Sequence, residues 1–353
     1  MPICQRLGRY GGCVHTPPKR KKRATVHDVA SVAGVSRGTV SRYINGERYV
    51  SSAAREAIEQ AIREVGYVPN TAARNLVMQR SQSVGLIVHE PSSLFIEDPN
   101  IGEILLGANE TLSAADHQMA VLIVDSERDT DRVARYLSGG FVEGVVVVSA
   151  RAADPISRVI DRLELPAAYV GHPAGAPASA SFVVIDNRSA AQAITERLVA
   201  VGRRRIGMIA AALDRDSGAD RLAGFRDAAG ALFDPDLIEP IPLYSYSAGR
   251  DATRLLLERA PDLDGLFAAS DAVAAGALES LRAAGRRVPE DVSVVGFDDS
   301  TWARRTVPEL STVRQPARLL GARAAQLVLD RVQADAAPET VELACEIVWR
   351  DSA

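Results

Sequence analysis

From residue 83 onward, apolar positions come in short unbroken runs separated by longer stretches of helical period. The runs at 84–88, 119–124, 144–148 and 167–170 have strand length and no polar alternation, as strands covered on both faces of a parallel sheet require. Between them, 102–115, 129–137 and 155–163 read as helices. A run at 182–186 ends this set, and a second set follows at 206–211, 241–244, 266–269 and 292–297, again with helices between. Two successive α/β units are expected, forming a two-lobed body. Neither unit carries the GxGxxG fingerprint of a dinucleotide fold.

Residues 24–81 follow a different pattern. Thr25 with Asp28 makes a near capping box, and Val29, Ala30 and Ala33 share one helical face. Gly34 permits a sharp turn, and Ser36 can cap a second helix running to about Asn45. On that helix Val40 and Ile44 point inward, which leaves Arg37, Gly38, Ser41 and Arg42 on the opposite face. Ser51 caps a third helix with Ile58, Ile62 and Val65 inside and Gly66 at its end. The spacing predicts a helix-turn-helix closed by a third helix. Pro69 then breaks the chain, and 71–78 has helical composition but is too short to be stable alone in water. The expected division is a disordered basic leader at 1–23, a helix-turn-helix domain at 24–69, a hinge helix and linker at 70–82, and a large domain at 83–353.

Charge sharpens this division. Between Lys19 and Arg80 there are twelve basic and five acidic residues, a balance of +7 in a chain of 353 residues with net charge −4. Such asymmetry suits a polyanion, because each neutralised phosphate releases condensed counterions. At 47% hydrophobic and 24% charged the chain can bury a sizeable core, and no apolar run approaches the roughly 20 residues that span a bilayer. Residues 1–18 lack an apolar secretory segment, and Cys4, Cys13 and Cys345 have neither disulfide density nor metal-ligand spacing. A cytoplasmic protein is expected, with no membrane partner and no metal or other cofactor.

The residues at 26–35 (VHDVASVAGV) and 36–42 (SRGTVSR), with Asn45-Gly46, Val50-Ser51, Arg55, 66–70 (GYVPN), Ala72, Ala73 and Leu76, resemble the DNA-binding headpiece of the LacI/GalR family of transcriptional regulators. The resemblance continues through 144–148, Asp186-Asn187, 202–206, Arg221 with Gly224-Phe225, 293–299 (SVVGFDD) and 310–316 (LSTVRQP). There the body is similar to type I periplasmic binding proteins. The implied fold is an all-α helix-turn-helix headpiece plus an α/β two-lobed periplasmic-binding-protein-like effector domain. Its lobes are discontinuous, the first comprising about 83–185 and 313–340 and the second about 186–312 and 341–353.

The resemblance also implies partners and sites. DNA contacts fall on Thr25, Ser36, Arg37, Gly38, Thr39, Ser41, Arg42 and Asn45. In the hinge helix they fall on Asn70, Ala73 and Leu76, with Leu76 as an apolar wedge in the minor groove. Gly38 stands where the family often carries a longer, base-reading side chain. The partners are double-stranded operator DNA, a second copy of the chain, and a small-molecule effector. A sugar is the first expectation, and a nucleobase or other metabolite acting as corepressor or activating ligand is the alternative.

In open α/β sheets ligands sit beyond the carboxyl ends of strands. Asp298 follows 292–297, and Arg221 lies in the segment after 206–211. A carboxylate accepting hydroxyls, opposed by a planar guanidinium donor, suits polyhydroxy ligands. Both residues match effector-contacting positions of the family, though Arg221 could instead bridge to Asp298 or Asp299. Trp302 could lie against a sugar ring or fill core. Ser270 precedes Asp271 where the family commonly has Asn-Asp, which shortens one polar arm. Phe95 and Asp186, with Ser149 and His172, are weaker candidates at the ends of first-lobe strands. The Asp298-Asp299 pair lacks a nucleophile or base motif, and adjacent residues on an extended strand point to opposite sides. A periplasmic binding protein would explain only the cleft, and an enzyme would need a catalytic constellation not found in the sequence.

Overall fold

A computed structural model describes residues 24–44, 49–67 and 81–353. Its contacts separate two units, one ending at Gln79 and one beginning at Arg80.

The first unit packs three helices, α1 (Val26–Ala33), α2 (Arg37–Ile44) and α3 (Ser52–Val65). Both halves of the capping box at Thr25 and Asp28 are present, and Gly34 ends α1 at φ 68°, a left-handed conformation that a side chain would resist. Ser51 caps α3 through the Ala54 N–H, and Gly66 ends it at φ 63°. Val29, Ala30, Val40, Ile58, Ala61 and Tyr67 form the core, with Ile44, Ile62 and Val65 packed against it. The predicted inward stripes of α2 and α3 are therefore realised, with Ala61 added to them. The Tyr43 hydroxyl donates to Glu59 at 2.9 Å and the Arg55 guanidinium lies over the Tyr43 ring, fixing α2 against α3.

The second unit holds two parallel sheets. The first lobe contains β1 (Ser83–Val88), β2 (Gln118–Ile123), β3 (Gly144–Val148), β4 (Ala167–Val170), β5 (Ser181–Ile185) and, from far along the chain, β11 (Thr340–Leu343). Their order is β11-β5-β4-β3-β1-β2. The second lobe orders β7 (Ile238–Ile241), β6 (Ile206–Ala211), β8 (Gly265–Ala268) and β9 (Ser293–Val295). Single bridges from Val295 to Ser311 and from Asp298 to Arg314 attach β10 (Thr312–Arg314), which pairs antiparallel with β12 (Glu346–Val348). The chain therefore passes between lobes at Asp186, near Gln315, and between Leu343 and Glu346.

The last crossing falls later than the expected residue 341, because β11 continues beside β5 in register through Leu343 and Ile185. One strand is also displaced. The sequence predicts it at 241–244, yet it forms at Ile238–Ile241 and includes Pro240. That strand lies at the sheet edge, where a missing N–H on the open side costs no ladder bond.

On the first lobe, α4 (Leu94–Glu97) leads into α5 (Pro99–Ala114), which lies against α13 (Ala317–Ala334). Contact here is backbone to backbone. A Cβ on Gly107 would come 1.9 Å from the Arg318 carbonyl oxygen, and one on Gly321 would come 1.9 Å from that of Ile104. The segment that returns from the second lobe is thereby keyed into the first. Gly321→Ala is expected to destabilise the large unit by about 1–3 kcal/mol through overpacking, read as a lower urea midpoint at unchanged m-value.

Candidate functional site

Each unit presents one face or cavity able to bind. In the first, Arg37, Gly38, Ser41 and Arg42 are exposed on α2, with Ser36 exposed before it and Thr39 half-buried. Ser36 Oγ accepts from the Thr39 N–H at 3.1 Å and lies 2.9 Å from Thr39 Oγ1, so both hydroxyls are engaged in starting the helix. Arg42 Nε donates to the Gly38 carbonyl at 3.3 Å, which holds the guanidinium along the open face. A Cβ at Gly38 would make only ordinary contacts, at 3.7 Å or more. Packing does not require glycine there, so the missing side chain matters on the outward side.

Thr25 is exposed, with its N–H and hydroxyl both donating to Asp28 Oδ2 at 2.8 Å. The expected contacts at Asn45, Asn70, Ala73 and Leu76 lie outside the described residues. Tyr49 was not singled out by the sequence pattern, yet it is 89% exposed.

In the second unit a cavity of about 110 Å³ lies between the lobes. Arg221 and Asp298 both line it. Arg221 projects from α9 (Asp216–Ala229), and Asp298 follows β9. Arg221 Nε donates to Asn187 Oδ1 at 2.9 Å and Nη1 to the Ala269 carbonyl at 2.6 Å. Its guanidinium carbon stands 3.6 Å from the Phe297 ring centroid. Asp298 Oδ1 accepts from Gln315 Nε2 at 2.6 Å and lies 3.8 Å from Arg221 Nη1. That ion pair is longer than a hydrogen bond, so the carboxylate keeps acceptor capacity toward the cavity.

Asp298 and Asp299 do diverge, although not because of an extended strand. They have φ 118° and 52°, in a sharp turn beyond β9. Left-handed backbone at two successive aspartates is strain of the kind held at binding sites. The turn delivers Asp299 to Arg314 at 2.7 Å and to Arg350 at 2.5 Å, leaving Asp298 facing the cavity.

The opposite wall carries a second guanidinium. Arg215 of the second lobe makes a two-pronged pair with Glu90, which follows β1 in the first lobe. Arg215 Nη2 also donates to the His89 carbonyl at 3.3 Å. The two side chains are 3% and 2% exposed, and both line the cavity. Neighbouring residues add further ties across the cleft. Asp214 meets Arg151 at 3.2 Å, and Asp216 accepts from the His172 N–H. His89 is paired with Asp154 at 2.6 Å on the first-lobe side. Among the described residues no cluster of His, Cys, Asp or Glu could hold a metal ion.

Four expected effector residues stand elsewhere. Ser270 is buried, and its hydroxyl caps α11 (Asp271–Ala283) through the Val273 N–H. Asp186 caps α8 (Asn187–Ala200) through the Ser189 N–H, and Phe95 packs against the core. Trp302 stacks on Tyr246 at 5.5 Å, and its indole N–H donates to the Glu97 carbonyl across the cleft at 3.0 Å. None of the four lines the cavity. Strand-end position cannot tell a cap from a ligand contact, since both need a polar side chain where the strand stops. The sequence did not single out Glu90, Arg215, Tyr244 and Gln315, although each lies in the cavity wall within a few residues of a strand end, nor Asp98, which lines the cavity from the N-cap of α5.

Burial pushes the carboxyls of Glu90, Asp98 and Asp298 above the usual range, against the pull of Arg215 or Arg221. Burial also raises Asp271, to about 7, although Thr312 and the Ser300 N–H donate to it. The folded state therefore holds protons that the unfolded chain releases from about pH 4 upward, and stability falls as pH rises through the folded values. Carboxyls held low, such as Asp186 and Asp234, act only below that window. The melting temperature is expected to fall between pH 5 and pH 8, and Asp271→Asn is expected to flatten that slope.

The Arg215–Glu90 pair gives a second test. Arg215→Leu leaves a buried carboxylate alone and is expected to cost about 3–5 kcal/mol in denaturant unfolding, whereas Glu90→Leu with Arg215→Leu recovers most of the loss.

Residues 25–70 match the family described as bacterial regulatory proteins, lacI family. Residues 195–353 match the periplasmic binding protein-like domain. The chain is 43% identical over 339 residues to the HTH-type transcriptional regulator CelR of Thermobifida fusca, covering 95% of this chain and 99% of that one. A solved transcriptional regulator CelR-cellobiose complex superposes with TM-score 0.75 at 40% identity, covering 94% of this chain and 100% of that one. The lac repressor dimer bound to operator and the anti-inducer ONPF superposes with TM-score 0.79 at 25% identity, covering 94% and 99%.

Proposed function

Because this chain belongs to the LacI family of bacterial regulatory proteins, and is a ligand-responsive, DNA-binding transcriptional regulator and not an enzyme, we propose that it is a homodimeric repressor released from a near-palindromic operator by a sugar. The observation that carries the sugar reading is Asp298 held by Gln315 and opposed by Arg221 in the interlobe cavity. A carboxylate with spare lone pairs beside a fixed guanidinium matches the paired hydroxyls of a carbohydrate. A CelR relative solved with cellobiose supports the same class.

Two copies of α2 enter adjacent major-groove half-sites, where Arg37 and Arg42 reach base edges and phosphate contacts set the register. The hinge residues Asn70, Ala73 and Leu76 follow in the minor groove, with Leu76 as the wedge. A ligand shifts this equilibrium only by its differential affinity for two lobe arrangements. Arg221 and Asp298 supply that difference because they hold the second-lobe side of a cavity whose other wall belongs to the first.

Fluorescence anisotropy on duplexes selected from a random pool tests the reading. Arg37→Ala is expected to weaken the selected duplex by about 1–3 kcal/mol and relax preference at one base pair. Leu76→Ala is expected to lower affinity together with bending. Arg221→Ala and Asp298→Ala are expected to retain DNA binding while losing the shift that a sugar produces in the parent. A parent with no preference for any duplex over random competitor at moderate salt would refute the regulator.

A further inference from the structure

The chain enters the large unit through backbone held in an unfavourable shape. Gln82, directly before β1, has φ 47°. A side chain resists that left-handed conformation, which persists only where neighbours enforce it. Three hydrogen bonds hold this turn. The Gln82 carbonyl accepts from the Gln118 N–H at 2.8 Å, and the Ser83 carbonyl accepts from the Glu143 N–H at 2.8 Å, both from the starts of the flanking strands β2 and β3. The third is of another kind. The Gln82 N–H donates to Glu143 Oε1 at 2.8 Å, so it depends on where one side chain stands.

Glu143 stands against His117, the residue before β2. Its Oε2 lies 3.5 Å from His117 Nε2, and the two side chains are 12% and 8% exposed. On its other side the imidazole meets the Ala115 carbonyl, 2.7 Å from Nδ1. A carbonyl can only accept, so Nδ1 carries a hydrogen. In the neutral ring Nε2 is then a lone pair, facing a carboxylate that is also only an acceptor. One added proton turns that contact into a charge-assisted hydrogen bond. Among the described residues no other group forms an ion pair with His117 or Glu143. Asp116 beside the ring is exposed, and Glu110, on the helix that His117 follows, is paired with Arg318.

We propose that His117, Glu143 and Gln82 form a proton-operated brace at the exit of the DNA-reaching segment, so that operator affinity falls when the His117–Glu143 pair loses its proton. This rests on reading residues 70–82 as the hinge that brings Asn70, Ala73 and Leu76 to DNA.

Imidazole is the side chain whose charge ordinarily changes between about pH 5 and pH 8. The brace is therefore complete at the acid end of that range and is released as pH rises through it. Release leaves Glu143 without its donor and lets Gln82 relax into ordinary backbone angles. The hinge then starts from many directions, and the ordering that DNA binding demands costs more.

Glu143→Gln tests the brace. Its amide oxygen still accepts from the Gln82 N–H and its amide hydrogens donate to the Nε2 lone pair, so no added proton is needed. Hydrogen exchange of the full-length protein is followed by mass spectrometry on peptides reporting Gln82, corrected for the intrinsic pH dependence. Protection is expected to fall about tenfold in the parent between pH 6 and pH 8, and to stay within about twofold in Glu143→Gln. His117→Phe removes the proton's site and is expected to leave protection low and flat. By anisotropy on the selected duplex, the parent is expected to lose at least threefold more affinity over that interval than Glu143→Gln does. His27 on α1 is exposed but common to both proteins, so any proton it exchanges cancels in the comparison. Protection independent of pH in the parent, or equally steep in Glu143→Gln, would overturn the brace. Equal loss of affinity in the two proteins would overturn its hold on DNA binding. A parent that prefers no duplex would remove the repressor reading, a failure that the exchange measurement separates from failure of the brace.

Discussion

A guanidinium from one lobe and a carboxylate from the other share two hydrogen bonds in a place that water does not reach. Neither partner can be withdrawn without leaving a buried charge exposed to a poor dielectric, so the lobes are held together by the cost of separating them as much as by attraction. Two residues beside Arg215 add to the same seam, Asp214 through Arg151 and Asp216 through the His172 N–H. Three consecutive side chains at the start of one helix therefore govern the relation of the two sheets. Because the tie is polar and directional, it has a broken state as well as a made one. A hydrophobic seam of similar area would lack that property, since apolar contact weakens gradually as surfaces slide.

The same seam explains why the cavity accumulates acid groups above their ordinary titration range. Glu90, Asp98 and Asp298 are brought together from both lobes by crossings of the chain, and each loses water when the lobes meet. Arg215 and Arg221 offset part of that cost and leave hydroxyl-seeking oxygens in place. A neutral polyol adds donors without adding charge to such a wall. An anionic ligand would meet four carboxyls, Asp216 included, against two guanidiniums.

Much of this was legible in the residues. The headpiece could be read almost position by position, because helix caps, turn glycines and inward stripes are local signals that tertiary contacts rarely override. Buried parallel strands such as Gly144–Val148 were equally plain, since continuous apolar runs have few alternatives. Arg221 and Asp298, read from their place after strands and from the family pattern, both line the cavity. Glu90 and Arg215 were not singled out, because a partner 125 residues away leaves no mark on either neighbourhood. Ser270 and Asp186 were read as effector contacts from the same strand-end position, and neither lines the cavity. A short polar side chain at a strand end can cap the next helix, and both do. The displaced edge strand shows the same limit, since Pro240 is tolerated only once the strand's position at the rim is known.

Trp302 lies on the seam between the lobes, its indole N–H bound to the Glu97 carbonyl and its ring against Tyr246. The chain has only one other tryptophan, Trp349, whose ring is covered by Arg197 within the second lobe. Parting of the sheets would strip a single indole of its carbonyl acceptor and admit solvent around it, while the other kept its surroundings. Intrinsic emission of this protein thus carries a built-in optical gauge of cleft aperture, with an internal reference in the same polypeptide.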